Sequence, residues 1–246
     1  MPTSRLAILS ALIVALAHPI SAQSTGAGYL FGAPAGRVTI RAGYAHADAQ
    51  SDVFDGALKF LTLKRGSFSG PNIGGDLAFT VQPWLDLAFS ADYAAAVSPS
   101  EFRDYLDNNN LPIEQTTSFR RAPVMANAIV YLAPRGRSVG TLAWIPARLV
   151  PWVGAGGGAM WYRFRQEGDF VDFQTLNVFT SKLQTSGWAP AFQALGGLDV
   201  TLSPRFAISA EARRAWARGT AGGDFTSYDK VDLSGVTGSL GFTIRL

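Results

Sequence analysis

Charged side chains in this 246-residue chain recur at every second position of otherwise apolar segments, and that spacing limits what chemistry they can do. Arg41, Asp76, Asp86, Asp92, Arg121, Asp199, Glu211, Arg213 and Arg245 each share a parity with mostly small or polar neighbours, while the opposite parity is apolar. Residues of one parity share one face of a β-strand. Four arginines and five carboxylates facing into a narrow barrel are expected to pair and fill it, because a buried charge left alone is costly. The chemistry is therefore ion pairing across a lumen, a polar plug, with a gated pore for small solutes as the rival use. Glu211 and Arg213, set against Ala210 and Ala212 on the other parity, are the sharpest case. Replacing Glu211 by leucine is expected to strand arginine partners in the interior.

Other constellations carry less. His46 and Asp48 fall two apart, on one strand face, as a base and its orienter would. No second half of a catalytic site accompanies them, and the expectation is a loop histidine and no enzyme. Gly154 to Ala159 matches the dinucleotide fingerprint GxGxxA, but that motif needs a helix to begin inside it, and here the strand pattern runs on through MWYRF. Inward glycines instead make room for bulky neighbours. Asp107 to Asn110 lacks the glycine and terminal glutamate of a calcium loop. With no cysteine in the chain, disulfides and thiolate metal sites are excluded. No cofactor and no metal are expected.

The elements that must position these charges are strands. Val236 to Leu246 alternates, with Val236, Leu240, Phe242, Ile244 and Leu246 on one face and Thr237, Ser239, Thr243 and Arg245 on the other. A cleaner run is Leu85, Leu87, Phe89, Ala91 and Tyr93 against Asp86, Ala88, Ser90 and Asp92. Further strands begin near Val38, Asp76, Ser118, Val150, Phe192 and Phe206, giving eight in all. Segments 46–72, 96–118, 165–184 and 218–232 read as long loops, and the intervening connections are shorter. Within the second loop, Ser98-Pro99-Ser100-Glu101 has the order of a capping box with proline at the first helical position, which predicts a short helix to about Leu106. Ten strands would result if ALKFLTL and VDFQTLNVF entered the membrane, with a wider lumen.

Aromatic spacing supplies an independent gauge. Trp84 to Tyr93, Trp152 to Trp161 and Phe206 to Trp216 are each nine or ten residues apart. At the rise and tilt of a barrel strand this is roughly 23–25 Å, the height of a lipid-facing band between aromatic girdles. Tyr44, Trp84, Tyr93, Trp152, Trp161 and Trp216 are the expected girdle residues.

Residues 1–22 follow the order of a secretory signal peptide: Arg5, the apolar run Leu6 to Ala17, then small residues to Ala22, after which cleavage is expected. Residues 23–36 are expected to be a periplasmic leader and 37–246 the barrel domain. The net charge of +3 comes without any basic run, so nucleic acid is excluded as a partner.

The segments RVTIRAGYAHAD, RRAPVMANAIVYLAP, PWVGAGGGAMWY and LGFTIRL resemble the small bacterial outer-membrane β-barrel proteins, the opacity-type porins and outer-membrane-protein-A-like barrels. The resemblance implies an all-β, transmembrane, up-and-down antiparallel barrel with periplasmic termini and four external loops. It implies residence in the outer membrane of a Gram-negative-type bacterium, with outer-membrane lipid and lipopolysaccharide as neighbours. Recognition by the barrel-assembly machinery through the last strand is implied as well. Lipid-A deacylase barrels share the topology and use His-x-Ser, where this chain has His46 and Asp48; omptin-type proteases pair a histidine with several aspartates. A structural or surface-interaction role is expected, and an external partner is not specified.

Overall fold

A strand with one apolar and one polar face must hide one of them, and here the polar one is hidden. In the computed structural model, which describes residues 28–107, 109–140 and 142–246, the chain forms twelve strands and one α-helix. They are β1 Leu30–Phe31, β2 Gly36–Ala47, α1 Asp52–Phe60, β3 Gly70–Gln82, β4 Leu85–Leu106, β5 Pro112–Tyr131, β6 Gly136–Val139 and β7 Ala143–Pro146. There follow β8 Leu149–Val171, β9 Val178–Thr201, β10 Phe206–Thr220, β11 Lys230–Asp232 and β12 Gly235–Arg245. Eight of these (β2, β3, β4, β5, β8, β9, β10 and β12) pair antiparallel in sequence order, and β12 returns to β2 to close the ring. The expected signal peptide lies outside the described residues.

Parity sorts the two faces. Thr39, Arg41, Asp76, Asp86, Ser90 and Ser209 are buried inside, whereas Ile40, Phe89 and Leu240 are more than half exposed outside, at 65%, 62% and 65%. An exposed apolar belt around a polar interior inverts a water-soluble barrel and suits a lipid surround, where closure also satisfies every strand edge. No helix among the described residues is long and apolar enough to cross a membrane; strands do the crossing. Ala210, paired between Leu198 and Leu240, faces outward. Ala210→Arg should therefore cost roughly 2–4 kcal/mol if near the midplane, while Ala210→Leu is tolerated; urea midpoints of vesicle-refolded protein read the difference.

Two of the expected long loops are not loops. β4 and β5 continue as a hairpin to Leu106 and Pro112, and β8 and β9 to Val171 and Val178. A crossing needs about 9–11 tilted residues, so half of each of these 20- to 24-residue strands stands beyond the lipid. The expected helix at 98–106 is absent: Ser98, Pro99 and Ser100 lie in ladder register with Thr117, Thr116 and Gln115. Continuing an existing ladder outweighs a cap signature, and the β3 pairing of β4 ends at Ala94, so Pro99 interrupts no ladder on that side, where proline is admitted. The helix forms instead at Asp52–Phe60 in the first loop. Val53, Phe54 and Ala57 make its buried stripe, and Asp52 and Asp55 sit in its first turn. Gly56 lets the Tyr228 ring approach closely, since a Cβ there would meet its hydroxyl at 3.0 Å. At the other end, the leader is not featureless: β1 pairs with β7, which pairs with β6, as a small sheet beneath the barrel.

Candidate functional site

The lumen holds two charged layers. The central one is built by β2, β3, β4 and β10. Arg41 donates to Asp92 from Nε and Nη2, at 3.0 and 2.6 Å, and forms a short ion pair with Asp76. Arg213 forms a short pair with Glu211, its neighbour of the same parity, and lies 3.3 Å from Asp76 and 3.5 Å from Asp92. Two guanidiniums thus share three carboxylates. Glu211 is not the sole partner of either arginine, which corrects the expectation that its loss strands them. Beside this layer, Gln193 Nε2 donates to Asn127 at 2.6 Å, and Asn127 Nδ2 donates to the Ser90 hydroxyl at 3.0 Å.

The second layer lies at the short-turn end. Asp86 accepts from the Tyr131 hydroxyl at 2.7 Å and from Arg135 at 2.9 Å, with Arg37 at 3.7 Å. Asp199 accepts from Ser209 at 2.6 Å, from the Trp152 indole at 3.0 Å and from Arg37 at 3.2 Å. Trp152 is the one girdle residue misassigned by its spacing. It is 2% exposed, on the inward parity of β8, where its N–H has a carboxylate to meet. Gly197 makes room for it, since a Cβ there would fall 2.5 Å from the indole ring. Tyr44, Trp84, Tyr93 and Trp216 are exposed outward, and Trp161 is half-buried on the same face; Trp188, opposite Trp161, belongs with them.

Arg121 and Arg245 point into the barrel but meet no carboxylate within ion-pair range among the described residues. Arg121 donates to the main-chain carbonyls of Leu233 and Ser234 at 2.9 and 3.3 Å. Arg245 donates to the carbonyls of Ser203 and Pro204 and to Thr201 Oγ1. Both stand near the barrel ends, where turns leave carbonyls free and the carboxylate rungs are out of reach. Arg37 and Arg135 take their places as ion-pair partners. Arg37 shares the parity of Arg41, a signal present in the sequence; Arg135 comes from a connection, where no parity exists to find it.

Above the central layer an apolar layer seals the long-loop end. α1 drops Phe54 into the mouth, its ring 4.7, 5.2 and 5.5 Å from those of Phe68, Phe119 and Phe164. The helix is tied down by backbone bonds from Gln50 and Asp229 to the carboxylates of Asp232 and Asp52. Over this floor, between α1, the tall hairpins and the last loop, lies a cavity of about 280 Å³. Phe60, Phe102, Phe170, Phe173 and Tyr228 contribute its aromatic wall, and Gln115, Gln166 and Asp224 its polar side chains. Gln115 is buried, and its Oε1 has no hydrogen-bond partner among the described residues. Phe173 sits in the tip between β8 and β9. There Asp172 accepts from the Thr175 hydroxyl and from the Gln174 N–H, bonds that hold its carboxyl below the usual range and fix the turn.

His46 lies on the outward face, its Nδ1 3.1 Å from Ser69 Oγ. Asp48 does not orient it; that carboxylate is taken by Arg214 at 2.9 and 2.5 Å. Gly154 to Ala159 lies wholly within β8, so no helix N-terminus stands there to bind a phosphate.

No protein-family model matches the chain, and no curated protein matches it. Among solved structures it is similar to Neisserial surface protein A, at 16% identity over 85% of this chain and 97% of that one, with a TM-score of 0.43. It is similar also to the attachment invasion locus protein of Yersinia pestis, at 14% identity over 85% and 97%, TM-score 0.42. The N-terminal β-barrel domain of Pseudomonas aeruginosa OprF gives 14% over 86% and 99%, TM-score 0.35. At such scores these are likenesses only, and the barrel stands on its own strand pairing.

Proposed function

We propose that this chain is an integral outer-membrane barrel of a Gram-negative-type bacterium, working as a closed scaffold whose external face receives a small molecule. The export signal read from residues 1–22 and the apolar outer belt support that location. The observation that carries the role is a cavity lined by Phe225, whose ring lies 5.3 Å from Phe164 in the apolar layer that also holds Phe54 and Phe119, with the charged layers beneath. A cup without an outlet holds what enters it and passes nothing on, so the reading is binding and not transport. Its aromatic wall favours an apolar body, and the unpartnered Gln115 Oε1 favours a ligand bearing one hydrogen-bond donor. A porin-like use would require both the apolar and the charged layers to move.

Calorimetry with 1-naphthol and the protein in lipid nanodiscs tests this. One-to-one binding is expected, weakened roughly five-fold in Gln115→Leu, the loss of one neutral hydrogen bond. Planar bilayers should record no current from the same preparation. Stable conducting steps, or naphthol binding indifferent to Gln115, would remove the closed-cup reading.

A further inference from the structure

On the outer face of the barrel, Arg120 of β5 and Arg163 of β8 are directly opposed in the ladder. Like charges in that position repel, and among the described residues neither has an ion-pair or hydrogen-bond partner. Their Nε atoms are buried and unbonded. The next outward arginine up the strand, Arg165, is by contrast paired with Glu167. The outward residues across from the pair are Ala95 and Ser186, so no described residue beside it in the ladder neutralises it.

Height and surroundings say what does. Trp161 and Trp188 face each other in the upper aromatic girdle, and Arg163 lies two residues above, its guanidinium 5.1 Å from the Trp161 ring. That places the pair roughly 5 Å beyond the girdle, in the head-group layer. Below it the outward surface is a trough. One rung reads Phe89, Ala126, Gly157, Phe192 across four strands, two small residues between two aromatic ridges that are 62% and 66% exposed. A cationic fork at head-group height, with a strip of small residues (Ala122, Ala159, Ala126, Gly157) running past Trp161 into the apolar belt, has the form of an anionic head and an acyl chain. Planar guanidiniums bind phosphate oxygens in pairs.

We infer that Arg120 and Arg163 form a site for a phosphorylated lipid of the outer leaflet, its phosphate between the two guanidiniums and one acyl chain in the trough. The site rests on the reading that the barrel spans the outer membrane.

The probe is bis-phosphorylated lipid A in phosphatidylcholine nanodiscs, with dephosphorylated lipid A and inorganic phosphate as controls. Native protein should retain lipid A on re-purification, and Arg120→Gln/Arg163→Gln should retain about ten-fold less, one order in the binding constant. Dephosphorylated lipid A should not be retained. Inorganic phosphate should compete only weakly, because it lacks the chain; if it displaces lipid A fully at equal concentration, the trough has no part and the site is one for free phosphate. In neutral detergent the double variant should melt no lower than native protein, since a repulsion has been removed; Arg163→Gln alone serves if it fails to fold. Equal retention by native and double variant would overturn the site while leaving the membrane reading intact. Failure of the native protein to enter any bilayer would overturn both.

Discussion

Arg41→Met should be among the most damaging single changes in the barrel, lowering its stability by about 3–5 kcal/mol, the usual penalty for removing one partner of a buried ion pair. Arg41 holds Asp76 and Asp92 directly and lies 3.7 Å from Glu211. Without it, three carboxylates would face Arg213 alone. The same count makes the opposite change mild. Glu211→Gln leaves two guanidiniums against two carboxylates and keeps an acceptor for Arg213, so a loss of about 1 kcal/mol or less is expected. Denaturant midpoints of vesicle-refolded protein measure both. Equal losses for the two variants would mean that the layer is not shared as the distances indicate.

Phe54→Ala should act locally and almost as strongly. Its side chain is fully buried among three aromatic rings, and truncating such a phenylalanine costs about 3–5 kcal/mol. The loss falls on the seating of α1 over the mouth, where amides should exchange faster by the matching factor while those of β2 and β12 keep their protection. Naphthol binding should fall with it. Conductance should stay silent, because the charged layers beneath remain. Current through Phe54→Ala would show that the aromatic floor alone closes the lumen.

The barrel was legible in the sequence because alternation carries one piece of information per residue and repeats over eight strands. The inward set Arg41, Asp76, Asp86, Asp92, Asp199, Glu211 and Arg213 follows from parity alone. Other rules are weaker guides than parity. Distance from Trp161 puts Trp152 in the girdle, although the neighbouring Val153 fixes it inward. Totals of charge match Arg121 and Arg245 to carboxylates, whereas pairing depends on rung, and their rungs offer main-chain carbonyls. The helix at Asp52–Phe60 carried its own signal: Val53, Phe54, Ala57, Leu58 and Leu61 recur at helical spacing behind Ser51. The overlapping segment ALKFLTL also fits a strand, and the two patterns compete. The cup could not be read at all, because its walls come from four separated segments that only the fold brings together.

The seam of the ring has a consequence in time. β2 and β12 meet through residues such as Thr39 and Thr243, which lie 204 positions apart and share a 2.9 Å hydrogen bond. The tall hairpins, β4 with β5 and β8 with β9, close over only a few residues. Short-range pairings form early and distant ones late, since the entropy of joining remote segments must be met first. The hairpins are therefore the natural first products of assembly and the seam the last. Until it closes, Arg41 on β2 and Arg213 on β10 stand on opposite sides of an open sheet with their shared carboxylates divided between them. An unzipped sheet of that kind carries bare charge and bare strand edges, neither of which lipid tolerates. Entry into the bilayer and closure of the ring are therefore expected to be a single event.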